Sequence, residues 1–217
     1  MNSENEPKTN ITGDAAKSAG KTSGIRLIWI KDTRSKLREI HNPPSFLFSK
    51  GNADLLLSPD MDAYTYICII GARKHTQYGR YVTREIIKCL RGQRIIIISG
   101  LATGIDTVAL ETALEFDIPA IAVLGSGLDD SVIYPHENVG LAHRITEKGG
   151  LVLSEYEDLS KATKWSFPLR NRIMAGLSDC IVVIEGTSKS GTLITARLGL
   201  DFGREVIAVP GPVTSPE

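Results

Sequence analysis

The chain has 217 residues, enough for one domain of ordinary size with a tail, and 42 % of them are hydrophobic, which supports a sizeable core. Its 25 basic residues balance its 25 acidic ones, so overall charge neither favours nor disfavours nucleic acid and any basic site has to be local. No apolar run reaches the length of a membrane span and the N-terminus lacks the apolar core of a signal peptide, so the expectation is a soluble, cytosolic protein without membrane contact.

Residues 1–24 are polar, with almost no large apolar side chain, and read as a disordered tail. Residues 25–63 read as a lead-in segment packing on the main sheet. They hold short apolar runs at 25–30 and 37–41, then Asn42-Pro43-Pro44, which forbids helix, and an extended piece ended by Gly51. Residues 64–217 form the main domain, where strands alternate with helices. Residues 64–70 are a β-branched, buried strand, and Tyr78, Val82, Ile86 and Leu90 recur every four residues as on an amphipathic helix. Ile95 to Ile98 are consecutive, as in a strand buried on both faces. Ile105, Ala109 and Ala113 mark a helix, 120–124 a strand, 138–148 a helix and 151–153 a short strand. A helix over 170–177, a strand over 180–184, a helix lined by Leu193, Ala196 and Leu200, and a strand over 206–209 follow. The pattern predicts an α/β fold, a largely parallel sheet with helices on both faces. Cys68, Cys89 and Cys180 lie in apolar runs and read as small core residues; the four scattered histidines give no zinc spacing.

In such a sheet, ligands bind at the carboxyl ends of the strands. Four predicted strand ends carry small residues: Gly71-Ala72-Arg73-Lys74, Ser99-Gly100 continuing to Gly104-Ile105-Asp106, Gly125-Ser126-Gly127, and Glu185-Gly186 followed by Ser190-Gly191-Thr192 at a helix start. Glycine lets backbone N–H groups approach a phosphate, and a helix N-terminus supplies the field. Each glycine alone is accounted for by a plain turn. The spacing fits neither the dinucleotide fingerprint nor the nucleoside triphosphate loop, which argues against NAD or ATP as cofactor; no cofactor is expected.

One stretch gathers the cations. Residues 161–174 carry four basic residues and no acidic one, with Trp165 and Phe167 among them. Pro168 fixes φ where a helix begins, which puts Arg170, Asn171 and Arg172 in its first turn. Cations are poorly placed there against the helix dipole unless an anion completes the site. Phosphate donors beside a flat aromatic face are the chemistry of single-stranded nucleic acid binding. The plain alternative is a solvated basic loop around a core aromatic.

These motifs, together with Tyr78-Gly79, Tyr134-Pro135, Ser154-Glu155-Tyr156, Phe167-Pro168-Leu169-Arg170-Asn171-Arg172, Thr195-Ala196 and Val209-Pro210-Gly211, occur in one order. The chain resembles the DNA-processing protein A (DprA/Smf) family over roughly residues 36–217. The resemblance implies an extended Rossmann-like domain that binds single-stranded DNA with little sequence preference. It also implies a role in natural transformation, protection of incoming single strands, help in loading the RecA recombinase onto them, a homodimer, and no enzymatic activity. Carried over by position, Arg73 and Lys164 would hold phosphates and Phe167 would stack on a base. Arg170, Asn171 and Arg172 would complete the pocket, with backbone from Gly71 to Ala72 and from Ser99 to Gly104. Lys74 and the Ser190-Gly191-Thr192 helix start join that DNA-binding set as residues of the same rim. Two positions depart from the family: Ala72 stands where a hydroxyl residue is frequent, and Thr103 where Arg is usual. Members usually continue beyond Pro210-Gly211, often into a small winged-helix domain. The chain is therefore expected to be short at that end, and dimerisation and RecA contact are the properties most affected.

A second reading is a nucleotide phosphoribohydrolase of the Lonely Guy or lysine-decarboxylase-like type, whose late glycine-rich helix start is similar in position to Ser190-Gly191-Thr192. Such an enzyme would carry Pro-Gly-Gly-x-Gly-Thr and a catalytic Glu, whereas this chain has Glu185-Gly186-Thr187-Ser188-Lys189-Ser190-Gly191-Thr192-Leu193. Asp106 and Glu185 are the acidic residues near the pocket, read as a helix-capping Asp and a strand-end Glu bonded to backbone.

Overall fold

A computed structural model describes residues 24–186 and 190–211, so the expected N-terminal tail, Gly24 apart, lies outside the described residues. Eight strands form one sheet: β1 (Arg26–Trp29), β2 (Phe46–Gly51), β3 (Thr65–Ile70), β4 (Ile95–Ser99), β5 (Ala120–Leu124), β6 (Leu151–Ser154), β7 (Cys180–Val183) and β8 (Glu205–Ala208). The helices are α1 (Asp54–Leu57), α2 (Gln77–Cys89), α3 (Ile105–Glu115), α4 (Val139–Glu147), α5 (Ser166–Leu177) and α6 (Gly191–Asp201).

The strand order is β1-β2-β6-β5-β4-β3-β7-β8. From β3 the chain winds outward through parallel β4, β5 and β6, then crosses back to β7 and β8 on the other side of β3. The winding reverses at β3, and a crevice opens at such a reversal because the flanking helices lie on opposite faces. Here α2, α3 and α4 pack on one face and α5 and α6 on the other. The isoleucine run of β4 shows why the sheet needs both layers. Ile96 and Ile98 enter the core shared with α5, while Ile95 and Ile97 enter the core shared with α3.

Several elements differ from the sequence reading. The lead-in segment does more than pack on the sheet: β1 and β2 extend it, antiparallel, through β2 against β6. Alternation drives this, since Ile28 and Leu47 are buried while Trp29 and Phe46 meet edge-on, 5.5 Å apart, on the other face. On α2 the buried row is Gly79, Thr83 and Ile87, and the expected Tyr78-to-Leu90 stripe flanks it. Gly79 permits this: a Cβ there would lie 2.5 Å from the Glu185 carboxyl carbon. On α6 the inward row is Thr192, Thr195, Ala196 and Gly199, and Leu200 points to solvent. Of the cysteines, Cys68 is buried, Cys180 partly so, and Cys89 is exposed because it falls on the outward side of α2, two residues past the buried Ile87.

Candidate functional site

A cleft of about 710 Å³ lies at the reversal point. The loop after β3 and the loop after β4 form one wall, and the N-terminal ends of α5 and α6 form the other. Two helix N-termini thus converge on one cavity with their partial positive charge directed into it.

Helix α5 begins earlier than Pro168 suggests, and its start sets the site. Thr163 and Ser166 cap each other: the Ser166 N–H donates to Thr163 Oγ1 (3.2 Å), and the Thr163 N–H donates to Ser166 Oγ (3.0 Å). This is the geometry of a capping box with serine in the role of the usual Glu or Gln. The first turn therefore carries Ser166, Phe167 and Pro168, while Arg170, Asn171 and Arg172 fall in the second. A helix turns about 100° per residue, so the three side chains diverge. Arg170 points into the protein, Asn171 faces α6 with Nδ2 3.4 Å from Gly191 O, and Arg172 lies on another side with Nη2 2.6 Å from Glu155 Oε1.

The cleft brings together Gly71, Ala72, Arg73, Lys74, Lys164, Phe167, Arg170, Asn171, Ser190, Gly191 and Thr192. Ser99, Gly100, Gly104 and Arg172 are not among its lining residues. The first three support the loops. Ser99 Oγ donates to Ile69 O (2.7 Å). A Cβ on Gly100 would lie 2.6 Å from the Arg170 guanidinium carbon. Gly104 has φ 84°, and a Cβ there would lie 2.5 Å from Arg73 O. These glycines let the loops after β3 and β4 close on each other and on Arg170. The backbone expected from Ser99 to Gly104 reaches the cleft at Ala102, while sequence reasoning missed the lining residues Met174, Ile194 and Thr195. Helical spacing was the available signal, because Met174 follows Arg170 by four residues and Thr195 follows Gly191 by four.

The cations of the rim differ in kind from the buried one. Arg73, Lys74 and Lys164 are exposed, and among the described residues none of them enters an ion pair. Arg73 lies over the Phe167 ring at 5.4 Å and Lys164 over the Trp165 ring at 5.0 Å. Ser190 Oγ, at the start of α6, is buried without a hydrogen-bond partner among the described residues. Arg170, by contrast, is 4 % exposed and donates to Val123 O. It faces Asp106, whose carboxylate accepts from the N–H groups of Gly100 (3.1 Å) and Ala102 (3.4 Å). Burial pushes the Asp106 carboxyl above the usual carboxylate range, against the pull of Arg170 and the two N–H groups. Burial likewise lowers the Arg170 guanidinium, opposed by Asp106. Glu185 accepts from the Thr76 N–H (3.0 Å) and hydroxyl at the start of α2. Asp106 thus accepts backbone N–H groups through Oδ2, and both Glu185 oxygens accept from Thr76 at the start of α2.

The sequence model of the family described as DNA recombination-mediator protein A matches residues 26–217. The chain belongs to that family. Among relatives of this recombination-mediator family, DNA processing protein DprA of Bacillus subtilis is 40 % identical over 180 residues, 83 % of this chain and 58 % of the relative. DNA processing protein DprA of Streptococcus pneumoniae is 41 % identical over 177 residues, 82 % of this chain and 59 % of the relative. The chain thus spans a little under three fifths of the length of these two relatives. The crystal structure of the Streptococcus pneumoniae protein superposes with a TM-score of 0.80 at 35 % identity, covering 93 % of this chain and 68 % of that one. DNA processing protein A of Helicobacter pylori, described for its single-stranded DNA binding mode, superposes with a TM-score of 0.73 at 31 % identity, covering 82 % of this chain and 78 % of that one. The family's Rossmann-like architecture is therefore that of this chain. Among the described residues no helix is long and apolar enough to cross a membrane, and no group of three or more His, Cys, Asp or Glu side chains is placed to hold a metal.

Proposed function

We propose that the protein binds single-stranded DNA in the cleft between the N-termini of α5 and α6. Arg73, Lys74 and Lys164 engage phosphates, the helix termini and Ser190 add neutral donors, and Phe167 offers a base a stacking face. The observation that carries this reading is three exposed cations around one cleft that enter no ion pair among the described residues, two of them lying over aromatic rings beside two helix N-termini. Cations position the backbone, and an aromatic face accepts any base, so the binding is tolerant of sequence. The Helicobacter pylori relative's described binding mode supports the same ligand. We read the role as binding rather than catalysis: Asp106 accepts from the Gly100 and Ala102 N–H groups and Glu185 from the Thr76 N–H and hydroxyl, which favours structural roles for both over the phosphoribohydrolase reading. Family membership supports the wider role: homodimerisation, assistance to RecA loading, and protection of incoming single strands in the cytoplasm during DNA uptake.

The test is fluorescence anisotropy with labelled oligo-dT against a duplex of equal length. Wild-type protein is expected to prefer the single strand, with Arg73→Ala and Lys164→Ala each weakening it about tenfold, as for loss of a charge-assisted contact. Equal affinity for duplex, or unchanged binding in both variants, contradicts the assignment.

A further inference from the structure

Phe167 is only partly an open stacking surface. Its ring lies against the backbone at Gly125, where a Cβ would come within 2.9 Å of the ring, and the Arg73 guanidinium sits 5.4 Å from its centroid. The ring beside it is more open. Tyr134 stands with its centroid 5.7 Å from that of Phe167, the planes inclined by 53°, and it is 53 % exposed. A slack loop does not explain this exposure. Val132 and Ile133, just before it, are buried, and both donate backbone N–H bonds to Asp129 O. Asn138, four residues on, is buried with its amide 2.8 Å from both Leu101 O and Thr107 Oγ1. The segment is pinned on both sides of an aromatic ring held in solvent, although a ring of this size gains most by burial. Tyr134 is not part of the cleft lining. It follows β5, which lies two strands from β3 in the sheet, so it prolongs the aromatic surface along the rim, away from Arg73 and Lys74.

The geometry points to Tyr134 as a second base-stacking residue, one that takes the base neighbouring the base on Phe167. This rests on the single-strand reading above and deepens it: the site engages at least two successive nucleotides, and the strand leaves the cleft along the rim of β5. Every base has a π-face, so a second aromatic adds affinity without adding sequence preference. The backbone held by Arg73 and Lys164 places the two bases, and the inclined rings give each its own face.

The experiment compares labelled oligo-dT with a strand of the same length carrying abasic residues. Tyr134→Phe is expected to bind oligo-dT as the wild type does. Tyr134→Ala is expected to lose about five- to a hundredfold on oligo-dT. On the abasic strand it is expected to match the wild type, at an unchanged melting midpoint. In a Phe167→Ala background Tyr134→Ala should still weaken binding, which separates a direct contact from an effect on the Phe167 ring. Where Tyr134→Ala lowers the melting midpoint, Tyr134→Leu replaces it, keeping apolar bulk without a π-face. Wild-type affinity in Tyr134→Ala, an equal loss on the abasic strand, or no further loss in the Phe167→Ala background each overturns the proposal. Binding that is lost in Arg73→Ala but unaffected in Tyr134→Ala removes this inference and leaves the cleft reading standing. Absence of wild-type binding to oligo-dT overturns both.

Discussion

Arg170 and Arg172 stand two residues apart in a basic stretch, yet they end in different environments. Arg170 is enclosed beside Asp106 and over Gly100, while Arg172 pairs with Glu155 with its side chain 13 % exposed. Neither burial could be read from the sequence, because a run of cations gives no sign of which one finds a buried carboxylate. The Arg170–Asp106 neighbourhood has a pH signature. The Asp106 carboxyl is raised in the folded protein, so the native state binds its proton more tightly than the unfolded chain does. Its contribution to stability is fully present below about pH 4 and is lost as pH rises through the raised value. Arg170→Met removes the nearby charge that opposes this loss, and the buried Asp106 carboxylate is then less well compensated wherever it is ionised. Urea midpoints should therefore show a larger deficit for Arg170→Met at pH 8 than at pH 4. In an Asp106→Asn background that pH dependence should disappear. An equal deficit at both pH values would mean that Arg170 acts through its bond to Val123 O alone.

At the scale of elements, periodicity carried the central sheet. The β-branched run of β3 and the four isoleucines of β4 stand out because strands covered on both faces need apolar side chains in both directions. The start of α5 was harder to read. Pro168 is a strong marker of a first turn and drew the boundary inward, whereas Thr163 and Ser166, three apart, form the actual cap. That cap orients the turn carrying Lys164, Trp165 and Phe167, so it links helix stability to the site. Thr163→Ala is expected to cost about 1 kcal/mol of stability. It should also weaken oligo-dT binding, although Thr163 is not among the cleft-lining residues. Denaturant unfolding and anisotropy on the same sample check both effects, and a stability loss with unchanged affinity would separate the cap from the site. Glycines gave a mixed signal. Gly71 and Gly191 line the cleft, whereas Gly100 and Gly104 serve close loop packing, a distinction that depends on contacts distant in sequence.

Over the whole molecule, the zero net charge hides an uneven distribution. Exposed cations such as Arg84, Arg144 and Lys148 pair with Glu115, Glu111 and Asp117 along the outer helices. Such surface pairs add little stability, whereas Arg73, Lys74 and Lys164 gather at one cleft without a carboxylate partner among the described residues and make a local positive region there. The reversal of winding at β3 places that region over two helix N-termini, which ties the topology to the chemistry. Electrostatic binding of this kind is read most directly through salt, because each phosphate neutralised on a single strand releases about 0.7 counterion. The first measurement is therefore oligo-dT affinity across a salt series, for the wild type and for Lys164→Ala. With Arg73, Lys74 and Lys164 each on one phosphate, the slope of log K against log salt should be about −2, and it should become shallower by about 0.7 in the variant. A slope near zero, or one that Lys164→Ala leaves unchanged, would contradict a strand held by these three cations.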